Sequence, residues 1–205
     1  TLTPLTYMAD SVKYDVNGVL QSTPVVVAEP SLAISGLTVP AGGNITVAYE
    51  TEVNAFAPMD AAGTITNTAV VSGGGITPIT VTETIGTEST PILTITKSVS
   101  PVPVTENGTL TYTFLIQNAG SAPADIGTDA VIVDTFNPLL SNLAVSFNGT
   151  AWAETTNYTY DETTGVFTTI AGQITVPAAT YTQNPATGVW TADPGVSTLV
   201  VKGTI

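Results

Sequence analysis

Thr109-Leu110-Thr111-Tyr112-Thr113-Phe114-Leu115-Ile116 alternates between two kinds of side chain. Leu110, Tyr112, Phe114 and Ile116 fall on one face of an extended chain, because successive side chains in a strand point to opposite sides. Thr109, Thr111 and Thr113 fall on the other. That is the pattern of a strand with one face in a core and one in water. Outward from it the same period recurs. Ile45, Val47, Tyr49, Thr51 and Val53 share a face opposite Thr46, Ala48, Glu50 and Glu52, which predicts one strand over 45–53. Ile65–Val71 and Thr77–Ile85 flank Ser72-Gly73-Gly74-Gly75 and read as a hairpin. Turn signals fall at Glu106-Asn107-Gly108, Asn118-Ala119-Gly120, Asn148-Gly149, Thr164-Gly165 and Asp193-Pro194-Gly195. No stretch keeps a helical period. Thr and Val, both β-branched, suit a pleated surface, and the spacing of strand and turn predicts an all-β sandwich.

The chain carries one β-module twice, out of phase with its own ends. Lys13-Tyr14-Asp15-Val16-Asn17-Gly18 recurs loosely as Val145-Ser146-Phe147-Asn148-Gly149. Gly36-Leu37-Thr38-Val39-Pro40-Ala41 recurs as Gln173-Ile174-Thr175-Val176-Pro177-Ala178. Ile45–Thr51 recurs as Leu199–Ile205. Before these segments the second copy has Leu93–Leu143, for which the first copy has little room. After them the first copy continues through Asn54–Thr87. The polar, Pro-containing Thr87-Glu88-Ser89-Thr90-Pro91 marks a boundary. Residues 1–88 then form a partial sandwich lacking its early strands, and 89–205 a second one with a long insertion near 152–196. A short linker leaves little slack, so the two are expected end to end as a stiff rod.

Composition narrows the function. Of 205 residues, sixteen are carboxylates and three are lysines, for a formal net charge of −13. Phosphate recognition needs Lys/Arg patches, so nucleic acid is excluded as a partner. Anionic membrane surfaces are disfavoured for the same reason. No apolar run approaches the roughly 20 residues of a spanning helix, so direct membrane insertion is not expected. There is no Cys, which removes disulfides and thiolate metal sites. The chain opens without an initiator Met and without a secretory leader, as a mature form or a proteolytic product would.

Four segments carry a family resemblance. They are Leu93-Thr94-Ile95-Thr96-Lys97-Ser98-Val99, Gly108–Thr113, Gln117-Asn118-Ala119-Gly120 and Val133-Asp134-Thr135-Phe136. Their order resembles the bacterial surface repeat family known as domain of unknown function eleven. The match covers about residues 91–140. The first copy is similar only to the later part of that pattern, through Ala61–Ala69, and the 152–196 insertion departs from it. The resemblance implies two immunoglobulin-like β-sandwich domains in tandem, on the surface or appendages of Gram-positive and related bacteria. It implies no enzymatic activity and carries no catalytic residues across.

Candidate sites are few. A nucleophilic triad needs a base such as His, and His is absent. The carboxylate pairs Asp161/Glu162 and Glu50/Glu52 read as surface acids. Lys97 shares the core face with Leu93, Ile95 and Val99, where an amine needs a partner or an exit to water. Gram-positive surface sandwiches sometimes join such a lysine to Asn or Asp through an isopeptide bond. Asp134 and Asn118 are candidate partners here, and Glu106 a candidate promoter. Trp152, Trp190 and Tyr160 offer an aromatic platform for a glycan, or the packing of the insertion. Asp125-Ile126-Gly127-Thr128-Asp129 offers oxygens that suit calcium, without EF-hand spacing; no other cofactor is read. The expectation is a structural subunit of a surface or fibre-like appendage. It would associate with itself head to tail by strand complementation, donating Gly195–Ile205 or Thr1–Tyr7. The alternative is a glycan-binding adhesin.

Overall fold

The computed structural model describes residues 3–205. Their regular structure is strand throughout, apart from one 3-10 turn at Ile126–Thr128. The all-β sandwich is as the alternation predicts. Packing divides the chain into two units, Thr1–Pro58 with Gln183–Trp190 and Met59–Thr182 with Thr191–Ile205.

The first unit holds β1 (Leu5–Tyr7), β2 (Lys13–Val16), β3 (Val19–Leu20), β4 (Val25–Val27), β5 (Ala33–Ser35), β6 (Ile45–Ala48) and β7 (Thr51–Val53). They make a three-stranded sheet in the order β3-β2-β6 and the pairs β4-β5 and β1-β7. The single strand predicted over 45–53 is thus two. The chain changes partner at Tyr49–Glu50, leaving β2 for β1. The break is held from outside the ladder: the Glu50 carbonyl accepts from Met8 N–H at 3.0 Å, and Glu50 N–H donates to the Ser11 hydroxyl at 3.0 Å.

The second unit holds β8 (Thr64–Gly73), β9 (Ile76–Gly86), β10 (Leu93–Ser100), β11 (Thr109–Asn118), β12 (Val133–Thr135), β13 (Ser141–Phe147), β14 (Thr150–Trp152), β15 (Tyr158–Asp161), β16 (Val166–Thr169) and β19 (Gly195–Thr204). A ribbon of β17 (Thr180–Gln183) and β18 (Trp190–Asp193) precedes β19. A five-stranded sheet, β10-β11-β19-β13-β14, faces a three-stranded one, β12-β16-β15. Tyr112, Phe114, Leu199 and Val201 from the first meet Phe136, Tyr158 and Phe167 in one core. Phe136 lies 4.7 Å from Tyr112 and 5.8 Å from Phe167 between ring centroids, within the range of favourable aromatic pairs.

The sequence repeat is also a structural one. β2 pairs with β6 and turns through Asn17-Gly18 into β3; β13 pairs with β19 and turns through Asn148-Gly149 into β14. Asn17 and Asn148 both have left-handed φ, 48° and 49°, a conformation Asn tolerates better than most residues. Each side chain then locks the neighbouring strand. Asn17 Oδ1 accepts from Asn44 N–H at 2.9 Å, and Asn148 Oδ1 from Thr198 N–H at 2.8 Å. The registers make Val47 the counterpart of Val201, and Ile45 that of Leu199. Their surroundings differ. Leu199 and Val201 are 0% exposed, whereas Ile45 and Val47 are half-buried. The reason is topological: β11 and β10 continue the sheet beside β19, and among the described residues nothing pairs on that side of β6.

Candidate functional site

Two apolar surfaces of the second unit lie uncovered. β10 pairs with β11 in register, so Leu93, Ile95, Lys97 and Val99 stand beside Asn118, Ile116, Phe114 and Tyr112 on the core side. The β11 residues of that face are buried, yet Ile95 remains 50% exposed and every residue of β10 is exposed. The opposite sheet ends too soon to cover them. Its outermost strand, β12, pairs only with β16 among the described residues. A half-covered apolar groove therefore lies between β10 and β12, bridged at Lys97 and Asp134, with a free backbone edge on each strand among the described residues.

The second surface is the β8–β9 hairpin. Cross-strand pairing puts Ile65 opposite Ile85, Ala69 opposite Val81 and Val71 opposite Ile79 on one face. The other face carries Val70 among threonines, with hydroxyls of Thr66 and Thr84, and of Thr68 and Thr82, each 3.2 Å apart. The turn uses Gly73, Gly74 and Gly75, all at positive φ, where glycine has no steric cost. Every residue of both strands except Ile65 is exposed, Ile79 at 57% and Val81 at 58%. A free two-stranded ribbon is only marginally stable in water.

The root of the hairpin is fixed. Thr87 N–H donates to Gly63 O at 3.0 Å, and its hydroxyl to Asp60 O at 2.7 Å. Beyond it, Ala119 N–H donates to Ile92 O at 2.8 Å and the Ser121 hydroxyl to Glu88 O at 3.0 Å. Gly120 is required at this approach, since a Cβ there collides with the Thr90 carbonyl oxygen.

Within the groove Lys97 forms an ion pair with Asp134 across the sandwich, from β10 to β12. The amine also stands over Tyr112, Phe136 and Phe114 at 4.8, 5.4 and 5.7 Å from the ring centroids, a cation–π arrangement. Asp134 Oδ2 is buried and has no hydrogen bond besides that amine. The four residues named for an isopeptide are thus separated into a pair and two others. Asn118 stands opposite Leu93, about 13 Å along the strand from Lys97. It is fully buried and fully used: Oδ1 accepts from Ile92 and Gly120 N–H, each at 2.9 Å, and Nδ2 donates to Ala122 O at 2.8 Å and Pro177 O at 3.0 Å. It is a clamp that fixes the linker to the end of the sheet. Glu106 lies exposed in the Thr105–Gly108 turn, and Lys97 has no second ion pair among the described residues.

Of the aromatic candidates, Trp152 and Tyr160 pack against the core of the second unit. Trp152 stacks on Phe147 with ring centroids 4.9 Å apart. The Tyr160 hydroxyl accepts from Leu140 N–H at 2.9 Å. Trp190 belongs to the first unit, and its Nε1 is buried without a hydrogen bond. Asp125 caps the 3-10 turn, its Oδ1 accepting from Gly127 N–H at 2.9 Å, and the described residues gather no cluster of three metal-ligating side chains. Of the two segments named as donors, Gly195–Ile205 is built into the sheet as β19, between β11 and β13, so releasing it would dismantle the core. In the other, Thr1 and Leu2 lie outside the described residues, and Leu5–Tyr7 is paired with β7. No sequence signal marked the groove; the hairpin was legible, its isolation was not.

Comparison with protein-family models, curated proteins and solved structures gave no match. The likeness to the surface repeat family rests on the quoted residues alone.

Proposed function

We propose that this chain is a non-enzymatic structural module of a bacterial cell-surface or fibre-like appendage, joined to further copies head to tail by β-strand complementation. The observation that carries the reading is the coexistence of a half-covered apolar groove and a detached amphipathic ribbon in one molecule. Free edges of this kind are sites of strand addition. A heterologous contact between a groove on one copy and a ribbon on the next does not close on itself, so it propagates into filaments. The composition supports the same reading. A low-charge, acidic, Thr-rich exterior with no Cys and no His suits an extracellular building block better than a catalyst. The test is sedimentation of the purified chain over a wide concentration range, with negative-stain microscopy of the concentrated sample. Linear oligomers that grow with concentration are the expected result. A monomer at every concentration, with no fibres, overturns the proposal.

A further inference from the structure

We infer that Asn107 is a site of self-modification, deamidating through a cyclic imide formed with Gly108, and that the fold holds the other two Asn-Gly pairs back from the same reaction. The chemistry is that of the dipeptide. The glycine nitrogen attacks the asparagine Cγ, the new C–N bond closes a five-membered ring, and the side-chain nitrogen leaves as ammonia. Water then opens the ring at either carbonyl. One opening gives aspartate; the other gives isoaspartate, in which the main chain runs through the former side chain. Water enters and ammonia leaves, so neither an oxidant nor an enzyme is needed. Glycine permits the attack because it has no Cβ to obstruct the approach.

The chain holds three such pairs, Asn17-Gly18, Asn107-Gly108 and Asn148-Gly149. All three asparagines are exposed, and all stand at left-handed φ, 48°, 58° and 49°. Access to water and backbone region therefore do not separate them. Ring closure brings Cγ onto the next nitrogen, so the side chain and the following peptide must both rotate. The bonds that resist this rotation differ. The Asn148 side chain is held at both ends, Oδ1 by Thr198 N–H at 2.8 Å and Nδ2 by the Ser197 hydroxyl at 3.2 Å. The Asn17 side chain is held at one, Oδ1 by Asn44 N–H at 2.9 Å. Both residues also sit in two-residue turns between paired strands, Val16 opposite Val19 and Phe147 opposite Thr150, and leaving the turn disturbs those pairs. The Asn107 side chain has no hydrogen bond among the described residues. Its one opposing contact is at the nucleophile, since Gly108 N–H donates to Thr105 O at 2.8 Å and must leave it to react. The order of reaction in the folded chain is therefore Asn107, then Asn17, then Asn148. The product adds a negative charge beside Glu106 on a chain already at −13.

The reaction is independent of assembly, and the test uses the full chain. The folded protein is held in mildly alkaline buffer made with oxygen-18 water, digested with pepsin in acid, and mapped by peptide mass. The label is expected first at Asn107, as a mixture of isoaspartate and aspartate, with Asn148 at least about tenfold slower. Asn107→Ala removes the early label. The same incubation in urea releases the restraints, and the three sites then react at similar rates. Label entering Asn17 or Asn148 as early as Asn107 in the folded chain overturns the inference, as does a ranking that urea leaves unchanged. Aspartate at Asn107 without isoaspartate also overturns it, because direct hydrolysis would then replace the imide.

Discussion

Asn118 fixes one end of the second unit's larger sheet. Its four hydrogen bonds tie β11, the Glu88–Ile92 linker and the loop at Pro177 together with no access to water. Asn118→Ala leaves those backbone groups buried and unpaired, and should cost about 2–4 kcal/mol in urea unfolding. The Asn-x-Gly motif had a visible spacing in the sequence; its role was not visible, because two of the groups it serves, the Pro177 carbonyl and the Ile92 N–H, lie far along the chain. Lys97 was legible as a lysine on a core face, and its partner Asp134 was among those named. What the alternation could not reveal is that the core stops short of it. With Asp134 as its one ion-pair partner among the described residues, the contact is electrostatic, and intact-mass measurement should return the full sequence mass; a chain lighter by one water would show an amide instead. Asp161 gives a pH signature. The Thr163 hydroxyl, then the Thr164 hydroxyl and the Thr163 N–H, hold its carboxyl down to about 2 from the ordinary 3.8. A depressed carboxyl favours the folded state above its unfolded value and loses that contribution as pH falls through the folded one. Asp161→Asn should therefore lower stability at pH 7 and converge with the parent as pH falls from about 4 to about 2, as read by urea midpoints.

At the scale of elements, equivalent strands have unequal weight. Leu199 on β19 is 0% exposed, and its counterpart Ile45 on β6 is half-buried. Leu199→Ala should destabilise by about 2–5 kcal/mol, the range for a cavity in a closed core. Ile45→Ala should cost about 1 kcal/mol, because half of its surface is already in water. Paired unfolding curves check this, and equal effects would contradict the difference in cover between the two strands. The hairpin over Ile65–Ile85 was readable from its Gly turn and its period, and so was the all-β class. The break at Tyr49–Glu50 was not, since alternation continues through it while the pairing partner changes. Alternation reports which face is apolar; it does not report whether anything lies over that face.

At the scale of the whole molecule, the uncovered surfaces set the strength of association. Docking the hairpin buries the exposed halves of about seven apolar side chains, a gross gain of roughly 5–10 kcal/mol. Association itself costs an estimated 4–15 kcal/mol. The two are comparable, so backbone ladder bonds along the free edges decide the balance, and assembly should depend steeply on concentration. Amide hydrogen exchange along β8 and β9, followed as the full chain is concentrated, tests this most directly. Fast exchange of their outward-facing amides is expected in dilute solution. Protection should rise with concentration, in step with protection of the free edge of β12. Exchange that stays fast at every concentration, or protection that survives unlimited dilution, would contradict completion of the sandwich by a second copy.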